Sequence, residues 1–188
     1  MKNLFIALVA LPAASHAFTF SDITTWVGSG SNQSALVIDW NLGPVDEIRV
    51  YGFRWDGVKT GRDMFDAVLA SDPKLYRELV PNVSYTAVFG IGYDFNGDGF
   101  DKASDRYVEG WFTGGFWAYY NGSGNAYPGW AFANEGFDTR VLANNSWDGF
   151  SWWPNFSGGT PRQPVPEPMS LAVLGLGLAS LSRRRRSR

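Results

Sequence analysis

The sequence predicts an α+β domain in which a mostly antiparallel sheet carries one pair of helices on a face, followed by an apolar C-terminal helix. Three observations support this prediction. Short stretches rich in β-branched and aromatic residues recur along the chain, one central region has helical spacing, and a separate apolar segment lies near the C-terminus. A length of 188 residues allows one domain with terminal signals.

The strands are predicted from apolar and aromatic stretches bounded by turn residues. SALVIDW at residues 34–40 is typical of a buried strand, and IRVYGFRW at residues 48–55 is predicted to be its neighbour. YTAVFGIGY at residues 85–93 predicts a strand after the helical region. Four aromatic stretches predict the remaining strands: YVEGWF, GFWAYY, GWAFA and SWDGFSWW.

The helix pair is predicted over residues 60–81. Thr60 and Asp63 have the spacing of a capping box, which marks the start of a helix. Asp72 is expected to cap a second helix, with Pro73 at the first helical position. Four apolar residues of the first helix share one face at helical spacing: Met64, Phe65, Val68 and Leu69.

The N-terminus has the order of features found in secretory signal peptides. Lys2 supplies positive charge, residues 4–11 are apolar, and small residues at Ser15 and Ala17 mark a cleavage site. Cleavage after Ala17 by a signal peptidase would remove residues 1–17. The predicted globular, exported domain then covers residues 18–158.

The composition narrows the possible chemistry of this domain. The chain has no cysteine, and its single histidine, His16, leaves with the signal peptide. The mature chain therefore has no disulfide and no imidazole for nucleophilic catalysis or zinc binding. A glycan hydrolase would depend on carboxylates such as Asp56 and Asp148, but both lie in Trp-Asp-Gly turns. We therefore expect a protein that is not an enzyme.

The formal net charge of −2 conceals an acidic body. Six of the 16 basic residues are Lys2 and the arginines at the extreme C-terminus. Between them, ten basic residues are set against all 18 acidic ones. This balance argues against nucleic acid as a partner and is compatible with calcium and neutral glycans.

Three features follow one another at the end of the chain. Residues 159–168 are predicted to be a Pro-rich linker that ends in Pro166, Glu167 and Pro168. Residues 169–181 are apolar apart from serine, although a membrane span needs about 20 residues. A basic cluster follows, which is typical of the cytoplasmic side of a membrane: Arg183, Arg184, Arg185 and Arg186.

This order resembles the PEP-CTERM sorting signal of exported proteins in Gram-negative bacteria. The resemblance implies that residues 169–188 form a sorting helix and basic tail that hold the chain transiently in the inner membrane. It also implies cleavage by an exosortase near the Pro-Glu-Pro motif, and delivery to the cell surface or to an extracellular biofilm matrix. The expected partners are signal peptidase, exosortase, the inner membrane and, at the surface, exopolysaccharide.

The central domain also resembles, more loosely, the transcobalamin-like β-grasp domains of exported bacterial proteins. The features concerned are the helix at residues 60–70, the stretch WAYYNG at residues 117–122 and the stretch SWDGFSW at residues 146–152. The spacing in WAYYNG is one residue shorter than in that family. The resemblance implies a module that binds a small ligand or a partner.

The stretch DFNGDGFDKASD at residues 94–105 has the spacing of a twelve-residue calcium loop. Gly99 occupies the sharp-turn position, whereas Lys102 stands where an oxygen ligand is usual. A solvated turn without metal explains the same composition, so both interpretations stay open. The predicted calcium ligands, with Phe100 contributing its backbone carbonyl, are Asp94, Asn96, Asp98, Phe100 and Asp105.

Nine tryptophans are many for a domain of this size. Exposed aromatic rings stack on sugars, whereas buried rings only fill a core, and the sequence allows both interpretations. In the stretch GFWAYY, alternate side chains point to opposite faces of the strand, so one face is exposed unless a second layer covers it. The predicted ligand-stacking residues are Trp117, Tyr119 and Trp130.

Overall fold

Nine β-strands, one α-helix and one 3-10 helix form the regular structure of the residues that the computed structural model describes, namely 17–43, 47–80, 87–111 and 113–164. The 3-10 helix is Phe20–Asp22, and helix α1 is Gly61–Ser71. In chain order the strands are β1 Thr25–Gly28, β2 Asn32–Asp39, β3 Arg49–Trp55, β4 Leu75–Leu79, β5 Val88–Tyr93, β6 Arg106–Glu109, β7 Gly115–Ser123, β8 Ala131–Phe132 and β9 Ser146–Pro154.

The larger sheet contains six strands in the order β1-β3-β2-β9-β7-β8. It is mixed, because β1 runs parallel to β3 and β2 runs parallel to β9, whereas the other pairs are antiparallel. At its centre, Ser34 of β2 lies opposite Ser146 of β9. Both central strands are buried over most of their length, which explains their nearly continuous runs of apolar and aromatic residues.

The three strands β4, β5 and β6 form a second, antiparallel sheet. This sheet and α1 pack on one face of the larger sheet. Trp40, just after β2, donates its indole N–H to the carbonyl of Ile91 in β5 at 3.0 Å. The ring of Phe65 in α1 lies 5.3 Å from that of Phe150 in β9. The main apolar core lies between these two layers.

The opposite face of the larger sheet is covered by residues 18–23, which precede β1. Ala35 and Val37 of β2 lie in this second apolar cluster, whereas their neighbours Leu36 and Ile38 face the main core. The cluster includes Trp147 of β9, whose ring lies 4.6 Å from that of Phe20. Both faces of the central strands are therefore dry.

Several predicted elements are confirmed. Strands β2, β3, β5, β7 and β9 lie within or across the stretches that predicted them. Helix α1 begins as expected, because the Thr60 hydroxyl accepts from the Asp63 amide at 3.2 Å and the Asp63 carboxylate accepts from the Thr60 amide at 2.8 Å. Met64, Phe65 and Val68 on its apolar face are buried.

The predicted helix pair, and with it the α+β class, is wrong. Within the described residues the fold is mostly β, with α1 as its one α-helix. Asp72 ends α1 instead of starting a second helix, since its amide donates to the carbonyl of Val68 and its carboxylate accepts from the amide of Lys74. The segment after it forms β4, because pairing with β5 satisfies a five-residue backbone that is too short for a stable helix.

Residues 1–16 of the predicted signal peptide and the whole predicted sorting helix at residues 169–188 lie outside the described residues. Among the residues that are described, no helix combines the length and the apolar character needed to cross a membrane. The boundary predicted at residue 158 stays a prediction, although the chain still contacts the domain at Pro161 and Arg162.

Candidate functional site

The predicted calcium loop connects the antiparallel strands β5 and β6. It is therefore flanked by strands, unlike the helix-flanked loop whose spacing it shares. Three carboxylates of the loop come together, with one oxygen of each within 4.8 Å of the others: those of Asp94, Asp98 and Asp105. Oxygens at these separations can ligate one hard cation such as calcium.

Asp94 organises this loop from the inside. Its side chain is buried, and its two oxygens accept hydrogen bonds from the backbone amides of Gly97 at 2.5 Å and Gly99 at 3.0 Å. Both glycines have positive φ values, 80° and 107°, which favour glycine. Burial raises the pKa of Asp94, but these two hydrogen bonds and the charge of the nearby Lys74 lower it by more. The pKa of Asp94 therefore lies below its usual value. The carboxylate stays ionised at neutral pH.

The remaining predicted ligands have different surroundings. The Asn96 side chain accepts from the Asp98 amide at 3.3 Å, and the Asp105 carboxylate accepts from the Asp101 amide at 2.7 Å. The ring of Phe100 stacks on Tyr76 of β4 at 4.6 Å, which fastens the loop to the second sheet. The loop is therefore ordered by its own hydrogen bonds and by the aromatic contacts of Phe95 and Phe100.

Lys102, the departure from the calcium-loop pattern, is engaged outside the carboxylate cluster. Its ammonium forms an ion pair with Glu78 of β4 and lies 4.5 Å from the ring centre of Tyr107. The charge of Lys102 is thus balanced by Glu78. A cation bound at the cluster would instead lie near the positive charge of Lys74, the basic residue that acts on Asp94.

The predicted ligand-stacking residues do not form one exposed platform. Trp117 and Tyr119 of β7 are buried in the main core, where Tyr119 stacks on Phe150 at 4.9 Å. Trp130 packs against the second cluster, on the other face of the larger sheet, 5.5 Å from Tyr127. The second sheet and α1 cover the face of β7 that carries Trp117 and Tyr119. The sequence alone did not show whether this face is covered.

Trp117 and Tyr119 nevertheless border a cavity of about 400 Å³ at the edge of the main core. Its wall is largely aromatic, and Phe132 in this lining is 53% exposed. Glu135 and Asp138 contribute acidic groups to the same lining. The aromatic residues that line the cavity are Trp111, Phe116, Trp117, Tyr119, Phe132, Phe137 and Phe150.

The two carboxylates considered for hydrolysis have separate partners. The Asp56 carboxylate accepts from the amide and hydroxyl of Ser31, beside the paired ends of β2 and β3, and these hydrogen bonds lower its pKa. Asp148 is buried and accepts from the Tyr119 hydroxyl at 2.5 Å and from Arg140 at 2.9 Å. Burial raises the pKa of Asp148, and the partner groups Arg140 and Tyr119 oppose that rise.

A third buried carboxylate was not identified from the sequence. Asp39, at the end of β2, is fully buried and forms an ion pair with Arg162 at 2.6 Å. The sequence contains one signal for Asp39, namely an ionisable residue inside the apolar stretch SALVIDW. A charge buried in such a strand requires a partner. Nothing in the local sequence identifies Arg162 as that partner, 123 residues further on.

Comparison with known proteins gives one match. No curated protein and no solved structure matches the chain, so the resemblance to transcobalamin-like domains stays unconfirmed. The one match is to a segment at the C-terminus. This segment includes the Pro-Glu-Pro motif and the basic cluster, which lie outside the described residues. A family model, the PEP-CTERM protein-sorting motif, matches residues 164–186, so the chain carries the C-terminal sorting signal of an exported, exosortase-targeted protein.

Proposed function

We propose that this protein is a non-enzymatic component of the cell surface or the extracellular matrix, released from the inner membrane by exosortase processing. The PEP-CTERM motif at residues 164–186 carries this proposal, because it specifies export and membrane-associated sorting. The proposal that the domain is not an enzyme is supported by the hydrogen bonds of Asp56 with Ser31 and by the ion pair of Asp148 with Arg140.

We further propose that calcium stabilises the domain at the loop of residues 94–105. The supporting observation is the close approach of carboxylate oxygens from Asp94, Asp98 and Asp105. A metal here would hold together a long connection in a chain that has no disulfide. Calcium would then act as a structural ion at the surface of the exported protein.

The sorting part of the proposal is tested in a Gram-negative host that has an exosortase. The wild-type chain should be shortened and should move from the inner membrane to the surface or the medium. A variant with Glu167→Ala and Pro168→Ala should keep its C-terminal segment and stay in the inner membrane. Identical size and location for both chains would contradict the proposal, and Glu109→Ala serves as a control for loss of an exposed carboxylate.

A second candidate function is the binding of a glycan or small ligand. The observation that favours it is the aromatic cavity of about 400 Å³, which has the size and largely apolar lining of ligand pockets. Trp117, Tyr119 and the partly exposed Phe132 would contribute to its wall. A screen of exopolysaccharide fragments by tryptophan fluorescence tests this candidate.

A further inference from the structure

The segment that precedes the sorting motif is packed on the domain. Trp153 donates its indole N–H to the carbonyl of Gly159 at 3.1 Å, and Pro161 and Pro164 are buried. Pro161 lies over Gly149 of β9, where a Cβ atom would come within 2.7 Å of the proline ring. We call residues 158–164 the exit strap.

One ion pair ties this exit strap to the centre of the larger sheet. Oδ2 of Asp39 accepts from both the backbone amide and Nε of Arg162 at 2.9 Å, and Oδ1 accepts from Nη2 at 2.6 Å. The Asn41 amide donates to Oδ1 at 2.8 Å, so the buried carboxylate has four donors. Nη1 of Arg162 donates to the carbonyl of Gly43 at 2.9 Å.

Tyr127 holds the backbone of the same segment. Its hydroxyl donates to the carbonyl of Arg162 at 2.7 Å and lies 3.0 Å from that of Pro161. The carboxylate of Asp39 is 0% exposed, whereas the Arg162 side chain is 34% exposed. Removal of Arg162 would therefore leave a charge buried without its main partner, a state that proteins avoid.

We propose that the pairing of Asp39 with Arg162 makes the exit strap a permanent part of the folded domain and confines proteolytic processing to the C-terminal side of Pro164. Processing breaks one peptide C–N bond. The acyl carbon takes an oxygen from water, and the leaving nitrogen takes a proton to become the amine of the released segment. The mature protein would then retain Arg162 in place.

The pairing itself does not depend on exosortase, whereas the position of the cut in the cell rests on the proposed function. Trypsin separates the two, since it cuts after Arg162 only when that residue leaves Asp39. The detergent-solubilised full chain is digested, and the product ending at Arg162 is followed by intact-mass spectrometry. Cuts elsewhere are counted separately by mass.

The wild-type chain should be cut after residue 162 at least about tenfold more slowly than the Arg162→Lys variant. The variant keeps the trypsin site and the positive charge but loses the bidentate hydrogen bonding to Asp39. Tyr127→Phe should accelerate the same cut. Its global unfolding midpoint should change too little for global unfolding to account for the faster cut. Tyr107→Phe, which removes a hydroxyl far from the strap, should have the wild-type rate. Asp39→Asn is included only if it folds.

Equal rates of cutting after Arg162 in the wild type, Arg162→Lys and Tyr127→Phe would overturn the proposal. So would a mature protein from an exosortase-bearing host whose C-terminus lies before Arg162. A wild-type chain that resists trypsin at Arg162 but is never shortened in that host would retain the pairing and reject the proposed sorting.

Discussion

Arg140 donates from Nε to Oδ1 of Asp148 at 2.9 Å, and the Asp148 carboxylate is almost completely buried near the start of β9. Tyr119 donates to the other oxygen. Burial, the carboxylate and the hydrogen bond all raise the pKa of Tyr119, so its hydroxyl remains a donor at every physiological pH. This group of three joins β7, β9 and the preceding loop, and it gives Asp148 a structural role.

Removal of Arg140 should therefore destabilise the domain strongly. Arg140→Ala leaves Asp148 buried without its cation, and the loss of one partner of a buried pair costs about 3–5 kcal/mol in the free energy of unfolding. Urea unfolding followed by tryptophan fluorescence measures this change. As a control, Arg62→Ala removes an exposed ion pair with Asp66 and should cost about 1 kcal/mol or less. Equal costs for both variants would contradict the interpretation.

Calcium should raise the thermal unfolding midpoint of the exported domain. Binding to the folded state alone, at a concentration 100 times Kd, contributes about 2.7 kcal/mol, which corresponds to roughly 5–10 °C for a domain of this size. Differential scanning fluorimetry with calcium and then with a chelator measures the shift.

Two variants of the same loop make that calcium experiment specific. Asp98→Asn should remove most of the shift, because Asp98 belongs to the carboxylate cluster. Asp101→Asn should retain it, because the Asp101 side chain instead accepts from Ala103 and Ser104 within the loop. A wild-type chain that has the same midpoint with calcium and with chelator has a plain turn here.

Acid should weaken the contact between the calcium loop and β4. The hydrogen bond from Lys102 holds the pKa of Glu78 below its usual value, and the hydroxyl of Tyr107 adds to the effect. Because the folded-state pKa is depressed, this stabilisation is present above the unfolded pKa of about 4.3 and is lost as pH falls through the folded pKa. Stability curves from pH 7 to pH 3 should fall less steeply for Glu78→Gln.

Glu109→Gln is the matched control for that experiment, since Glu109 lies 3.7 Å from the Lys102 ammonium and is more exposed than Glu78. It should change the acid limb less than Glu78→Gln does. An acid limb that is identical in the wild type and in Glu78→Gln would show that this ion pair contributes nothing to the pH dependence.

Ligand binding in the aromatic cavity should depend on Phe132. If a glycan fragment or small ligand quenches the tryptophan fluorescence, Phe132→Ala should weaken its affinity about 3–10-fold, the usual contribution of one aromatic contact. The folded state should tolerate the change, because Phe132 is 53% exposed. Phe95→Ala removes another partly exposed ring, which does not line the cavity, and should leave the affinity unchanged. Equal affinity losses would mean that the ligand binds elsewhere.

Local patterns predicted the elements whose causes are local. The capping box of Thr60 and Asp63 placed the start of α1, and the run of apolar residues after Ser34 placed the buried strand β2. The prediction for the segment after Asp72 is wrong, because its pairing with β5 depends on residues that lie nine to 18 positions away. Tertiary contacts override the weak helical preference of so short a segment.

Residue types and their order are enough to establish the sorting signal, the lack of cysteine in the chain and of histidine after His16, and the spacing of the acidic loop. The burial of Trp117 and Tyr119, and the arginine partners of Asp39 and Asp148, become visible in the folded chain alone. Burial is decided by which layer packs on a strand. The partner of a buried charge is decided by whichever distant segment the sheet brings beside it.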